Sequence, residues 1–244
     1  MIERLWEPAH RAADLIEGWG FVHVLSHYDA DGITSAAIMA HALQRRGIPF
    51  QATCVEHFDQ AAVDQVRGNA VLCDMGSGTP QFSNQLHCVI IDHHPPAEGV
   101  ENPQVNPHLV GVDGSTQLSA AGATYCVARE MGQNEDLAGL ALAGAIGDRQ
   151  RLDNGANADI IEEGEKNGYI TRETGFLWGT DDLREALTYS LDPYLPVSGN
   201  AGAVDALLAE MGIPTASATW TPSSAAGSPR CSPPSCSPKA VPGR

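Results

Sequence analysis

Phe21-Val22-His23-Val24-Leu25-Ser26 runs directly into His27-Tyr28-Asp29-Ala30-Asp31-Gly32, so a short apolar run ends in an imidazole and two carboxylates. The pattern returns twice. Val71-Leu72-Cys73 leads into Asp74-Met75-Gly76-Ser77-Gly78, and Cys88-Val89-Ile90-Ile91 leads into Asp92-His93-His94-Pro95. Short apolar runs bounded by turn signals read as buried strands. A buried strand ending in a charged group, three times over, is how an open α/β sheet builds a site at its carboxyl edge. Carboxylates with some imidazole suit Mn²⁺ and related divalent ions.

Between these runs the sequence alternates strand and helix. Leu5, Ala9, Ala12, Ala13 and Ile16 have helical spacing, and Gly18 and Gly20 end that helix. Thr34 to Arg46 reads as a helix closed by Gly47, Phe50 to Val55 as a strand, and Gln60 to Val66 as a helix. Ala70–Cys73 and His87–Ile91 are the next strands. This alternation predicts an α/β fold with a parallel sheet covered by helices. From Ser119 onward helices dominate. Ala120 to Ala128 is rich in small residues, and Asp136 to Ile146 is apolar enough to be buried on nearly all sides. The latter ends at Gly147-Asp148 and brings one more carboxylate out of the core. Ala158–Asn167, Asp182–Tyr189 and Ala203–Met211 read as further helices, with a proline-marked turn at Asp192–Pro196.

The chain carries 14 basic and 30 acidic residues, a formal net charge of −16. Such a surface argues against broad duplex binding, which requires Lys and Arg to neutralise phosphates. It leaves room for a nucleotide or single strand where bound cations reverse the local sign. No apolar run approaches the ~18–20 residues of a membrane span, and the mixed charges of Met1 to Leu5 give no secretory signal. A cytoplasmic address is expected. Cys54, Cys73, Cys88 and Cys126 sit in apolar runs and read as reduced, mostly buried thiols. Cys231 and Cys236 lie in a Pro/Ser-rich stretch.

Asp29 and Asp31, one residue apart, would repel unless a cation offsets them; the alternative is a polar loop with Asp31 capping a helix. Joined to His27, Asp74, Asp92, His93, His94 and Asp148, all at strand or helix exits, they favour a site. Of the adjacent histidines, one can ligate a metal while the other faces substrate, with Asp92 orienting either. Gly76, Ser77 and Gly78 would let a backbone approach a phosphate, or form only a turn. His10, His23, His41, His57, His87 and His108 lack comparable neighbours, and Asp113 to Thr116 reads as a turn and helix cap.

His27-Tyr28-Asp29-Ala30-Asp31-Gly32, Asp74-Met75-Gly76-Ser77-Gly78, Asp92-His93-His94-Pro95 and Gly147-Asp148 resemble, in order, the four motifs of the DHH phosphoesterase superfamily. The likeness covers about residues 20 to 210. The first motif is similar to that of the RecJ-type branch, and with Gly144 to Gln150 the chain looks most like the archaeal RecJ-like single-strand exonucleases. That resemblance implies a two-metal phosphodiesterase using Mn²⁺, with Mg²⁺ or Co²⁺ as alternatives. Asp31, Asp74, His93 and Asp148 would hold one ion. Asp29 and Asp74, with His27 nearby, would hold the second, and His94 would contact the scissile phosphate. Two ions ~3.5–4 Å apart stabilise both attacking and leaving oxygens. The substrate implied is single-stranded DNA or RNA; alternatives are short oligonucleotides, cyclic dinucleotides or another small phosphoester. Degenerate relatives serve as replication-helicase subunits, so a non-catalytic role in such an assembly is a third expectation.

Gly212 to Arg244 contains no acidic residue and holds seven of the sixteen prolines. It reads as a disordered tail after a catalytic domain over residues 1–211. Relatives in the superfamily continue into a glycine-rich DHHA1 domain, which this stretch does not resemble. A natural linker and a change of reading frame in the gene both account for its composition.

Overall fold

The computed structural model describes residues 1–173, 182–191, 194–213 and 228–231. The strands Val22–His27 (β1), Phe50–Val55 (β2), Asn69–Cys73 (β3), Cys88–Ile91 (β4) and Gln104–Val105 (β5) form one parallel sheet in the order β2-β1-β3-β4-β5. β5, absent from the sequence reading, is two residues long and too short to show a period.

Alternation along the strands divides the core. Val22, Val24, Val71, Cys73, Val89, Ile91 and Val105 join one apolar cluster, while Leu25, Ala70, Leu72, Cys88 and Ile90 join another on the opposite face. Because both faces are covered, β1, β3 and β4 read as near-continuous apolar runs. The larger cluster takes the inward stripes of α1 (Trp6–Glu17), α2 (Ala30–Arg46), α5 (Ala120–Met131), α6 (Ala138–Gly147) and α7 (Gly155–Lys166). The smaller one takes Ala62 of α3 (Gln60–Gln65) and lies near the short α4 (Pro80–Ser83).

Several boundaries differ from the sequence reading. α2 begins at Ala30, a turn earlier than Thr34, because Asp29 rather than Asp31 is its N-cap and accepts from Gly32 N–H at 2.9 Å. α6 is buried along Ala138, Ala141, Leu142, Gly144 and Ala145, but Leu140, Ala143 and Ile146 are only half-buried, so one flank is open. Cys54 is exposed, since β2 is an edge strand; Cys73, Cys88 and Cys126 are buried free thiols.

The chain divides into two compact units, one built on Met1–Ile170 and one on Thr171–Arg230. In the second, α8 (Leu183–Tyr189) and α9 (Ala201–Glu210) share a small core of Leu187, Val204 and Leu208. Arg184 Nη2 pairs there with Asp205 Oδ2 at 2.9 Å. Asp192 and Pro193 of the expected turn lie outside the described residues. So does most of the expected tail, apart from residues 212–213 and the strand Ser228–Cys231, which pairs with Ile170–Glu173.

β1 has β2 on one side and β3 on the other, so the strand order reverses at the β1/β3 boundary. In an open α/β sheet this is the place where chain connections part and leave a crevice beyond the carboxyl ends.

Candidate metal centre

Register brings the site together. Ser26 pairs with Cys73, Cys73 with Ile91, and Ile91 with Val105. The next residues along, His27, Asp74, Asp92 and Asn106, therefore leave the sheet side by side at its carboxyl edge. Asp74 does so with φ 62°, a left-handed conformation rare for a residue with a side chain. Strain of this kind, ~1–3 kcal/mol, persists only where the surroundings enforce it, and here it accompanies a carboxylate turned into the crevice. Gly32 lets the first turn of α2 close over the end of β1: a Cβ there would lie 2.3 Å from the His27 carbonyl oxygen.

The side chains converge on Asp74. Its Oδ2 lies 3.5 Å from His27 Nδ1, which in turn lies 2.8 Å from Asp29 Oδ2. Its Oδ1 lies 3.3 Å from His93 Nε2. The same His93 nitrogen lies 3.1 Å from Asp148 Oδ2 and 3.7 Å from Asp31 Oδ2. Two sets of ligand atoms result, His27/Asp29/Asp74 and Asp31/His93/Asp148, each with its atoms within 4.8 Å of one another. Asp74, His93 and His94 form an overlapping third. Asp148 reaches the cluster from the C-cap of α6, as expected from the sequence.

Burial makes this arrangement costly without a cation. Asp31 and Asp74 are almost wholly removed from water. Burial, reinforced by the Asp74 charge, pushes the Asp31 carboxyl up to about 7, although it accepts Ala120 N–H at 2.7 Å and Ala121 N–H at 2.9 Å from the start of α5. Burial also raises Asp74, with Asp92 and Asp29 adding repulsion. For His93 burial acts in the opposite direction, but Asp148, Asp74 and Asp31 outweigh it and push the imidazole up to about 11. Asp74 Oδ1 is buried and has no hydrogen-bond partner among the described residues. An orphaned carboxylate oxygen among oxygen and imidazole donors fits a hard divalent cation.

Asp92 serves differently. Fully buried, its Oδ1 accepts from His93 N–H at 2.8 Å, His94 N–H at 3.1 Å and His94 Nδ1 at 2.8 Å, and its Oδ2 accepts from Ser77 N–H at 2.9 Å. These bonds outweigh burial and hold its pKa below the usual carboxylate value. His94, raised by that same carboxylate, is anchored through Nδ1 and half-exposed.

Gly76 and Ser77 are buried. At Gly76, φ 108°, a Cβ would meet Leu72 Cδ1 at 2.9 Å, while the Ser77 hydroxyl donates to Gln104 Oε1 at 2.8 Å and accepts from Asn106 Nδ2 at 3.0 Å. Close packing and support of Asp92 explain these two residues, and only Gly78 of the trio is exposed. Asp113 does form the expected turn, bonding Ser115 N–H and the Thr116 hydroxyl. The next carbonyl nevertheless belongs to the site: Gly114 O accepts from His93 Nδ1 at 2.8 Å and from Gln150 Nε2 at 2.8 Å. Neither that carbonyl nor Asn106 carries a local sequence signal, since each reaches the site only through the fold. His23, read as structural, is buried in the sheet and joined to Thr53 Oγ1 at 2.9 Å.

Comparison with known proteins agrees with this architecture. The chain is 33% identical over 216 residues to an uncharacterized protein of Methanocaldococcus jannaschii, an alignment covering 82% of this chain and 50% of that one. The chain thus spans about half the length of the curated relative it matches. Among solved structures it is similar to exonuclease RecJ bound to manganese, with TM-score 0.56 and 19% identity over 80% of this chain and 54% of that one. It is also similar to RecJ in complex with Mn²⁺ from Thermus thermophilus, with TM-score 0.55 and 20% identity over 81% of this chain and 31% of that one. CDC45 from Entamoeba histolytica shares the fold as well, with TM-score 0.61 and 15% identity over 90% of this chain and 52% of that one. No helix among the described residues is long and apolar enough to cross a membrane. The family model of the DHH family, N-terminal domain, matches residues 21–145, which hold the first three ligand clusters, and the chain belongs to the DHH family.

Proposed function

We infer that the cluster is a two-ion centre and that the chain hydrolyses phosphodiester bonds in single-stranded DNA or RNA. Asp74 carries the reading. Its two oxygens face two different ligand sets, and the buried one lacks a hydrogen-bond partner among the described residues, as suits a carboxylate shared by two cations. Asp31, His93 and Asp148 would hold one ion with Asp74, and His27 and Asp29 the other. Mn²⁺ is the preferred occupant, given the mixed oxygen and imidazole donors and the manganese present in the RecJ structures of similar fold. Bound ions would supply Lewis-acid stabilisation of the charge that develops during phosphoryl displacement.

The protein's own contribution is orientation. Asp92 fixes His94 through Nδ1, leaving Nε2 to donate toward a phosphate oxygen on the open side. Gly78 is the exposed backbone position best suited to approach the substrate.

A net charge of −16 favours a second reading, hydrolysis of short oligonucleotides or cyclic dinucleotides, which ask less of a basic surface. The test compares Mn²⁺-supported turnover of a long single strand, a dinucleotide and a cyclic dinucleotide. Preference for the long strand supports the first reading, and preference for the small substrates supports the second. No cleavage of any, with Mn²⁺ demonstrably bound, would instead favour a scaffold in a replication assembly.

A further inference from the structure

The cap of α6 places one side chain beside each ring nitrogen of a single imidazole, that of His93. Arg149 N–H bonds Ile146 O at 3.0 Å and Gln150 N–H bonds Ala145 O at 2.8 Å, the paired bonds of a Schellman cap, with Arg149 at φ 54° where glycine is usual. That reversal sets Asp148 and Gln150, two residues apart, on opposite sides of His93. Asp148 Oδ2 lies 3.1 Å from Nε2, and Gln150 Nε2 lies 3.4 Å from Nδ1. We propose that Gln150, oriented by Asn157 and acting through the Gly114 carbonyl, is a positioning residue that turns Nε2 of His93 toward the ligand cluster. The proposal rests on the reading of that cluster as a metal centre.

Each link is directional. Gly114 O takes two donors, His93 Nδ1–H and Gln150 Nε2–H, so when His93 binds an ion as the neutral imidazole its proton is held at Nδ1 and Nε2 is the ligand atom. The opposite amide orientation of Gln150 would bring its oxygen against Gly114 O. Asn157 prevents this: its Nδ2 donates to Gln150 Oε1 at 3.0 Å and to Arg151 O at 3.1 Å. Asn157 is fully buried and Gln150 nearly so. Their side-chain hydrogen bonds run to each other and to backbone carbonyls, not to the carboxylates of the cluster. The loop cannot drift, because Arg151 N–H bonds Thr116 O and Asn157 N–H bonds Gln117 O, both at 2.9 Å. Glycine is required at 114, where a Cβ would lie 2.2 Å from His93 O. Loss of an outer partner of this kind typically weakens metal binding about 10–100-fold.

The experiment measures Mn²⁺ affinity by titration calorimetry on the full chain, beside thermal melts in chelator. Gln150→Met keeps the volume and removes the amide, so it separates packing from positioning. We expect Gln150→Ala and Gln150→Met to weaken Mn²⁺ binding alike, by about tenfold or more, with the Met variant melting near wild type. Asn157→Ala combined with Gln150→Met should weaken binding no further than Gln150→Met alone, because Asn157 acts through Gln150. Wild-type affinity in Gln150→Met, additive losses in the double variant, or a Met variant that fails to fold would each overturn the proposal. Failure of the wild-type chain to bind Mn²⁺ would instead remove the metal-centre reading beneath it.

Discussion

Replacing Gly144 by alanine tests whether the close approach of α6 sets the geometry of the centre. A methyl group there would lie 2.3 Å from Asp31 Oδ1, 2.6 Å from Ala121 Cβ and 2.8 Å from Thr34 Oγ1. Ordinary contacts are about 3.5–4.0 Å, so α6 must withdraw roughly 1 Å from both α2 and α5. Local relief is blocked, since Asp31 is pinned by two backbone N–H groups and Ala121 Cβ moves only with its helix. Overpacking costs about 1–3 kcal/mol, and the better helix propensity of alanine offsets up to about 1 kcal/mol of it. A net loss of about 1–2 kcal/mol lowers Tm by roughly 2–8 °C for a chain of this size. The larger effect is on function, because α6 also carries Asp148. A shift of about 1 Å at a reacting centre can reduce rate by roughly 10², and Mn²⁺ affinity should fall with it. The matched control is Gly164→Ala in α7, where a methyl would meet the Ile170 side chain, at 2.3 Å from Cδ1, 2.8 Å from Cγ1 and 3.3 Å from Cβ, and none of the groups around the centre. Thermal melts in chelator and Mn²⁺ calorimetry on both variants give the comparison. Undiminished Mn²⁺ affinity in Gly144→Ala would refute the claim that helix approach positions Asp148.

Asp74→Ala should abolish Mn²⁺ binding at both ligand sets without lowering metal-free stability, because burial and like charges already disfavour that carboxylate; one ion still bound at full affinity would show that it does not bridge. His94→Ala should bind Mn²⁺ within a few-fold of wild type yet lose roughly 10²–10³ in kcat; loss of both ions would mean that the two histidines have exchanged roles. At pH 7 the metal-free protein keeps a proton on His93 and, in part, on Asp31, raised to about 11 and about 7. An incoming ion must displace these protons, so Mn²⁺ affinity should rise with pH through neutrality. Calorimetry in buffers of different ionisation enthalpy would detect the release, and a buffer-independent heat would contradict it. His23 has its pKa lowered by burial from 6.5, so below that pH the unfolded chain takes a proton that the folded chain resists. Wild-type stability should therefore fall relative to His23→Gln as the pH drops, and a pH-independent difference between their melts would count against it.

Strand exits are the most legible part of the sequence. His27, Asp29, Asp74, Asp92 and His93 announce themselves because a buried parallel strand leaves no apolar ambiguity before its charged end, and register then aligns them without further information. Asp148 is legible for a similar reason, ending an apolar helix. The start of α2 is misplaced by a turn because Asp29 and Asp31 are equally good caps in isolation, and only the contact of Asp31 with α5 selects between them. Gly114, Asn106 and Asn157 are silent, since a backbone carbonyl has no sequence signature and a buried amide looks like any loop asparagine. Gly76 and Ser77 mislead in the other direction: a Gly-x-Gly beside a ligand suggests phosphate, whereas packing under Leu72 and support of Asp92 account for two of the three positions.

The double tie of Asp31 to the first N–H groups of α5 bears on how relatives should be sorted into enzymes and scaffolds. The carboxylate satisfies two helix-end donors that an amide could not satisfy together, because an amide offers one acceptor and one clashing donor. A lineage that abandoned metal altogether would still have a folding reason to retain this aspartate. Its presence in a genome sequence is therefore poor testimony to catalysis. Asp148, held at an open helix end, is the position whose loss should mark a chain that has given up its chemistry.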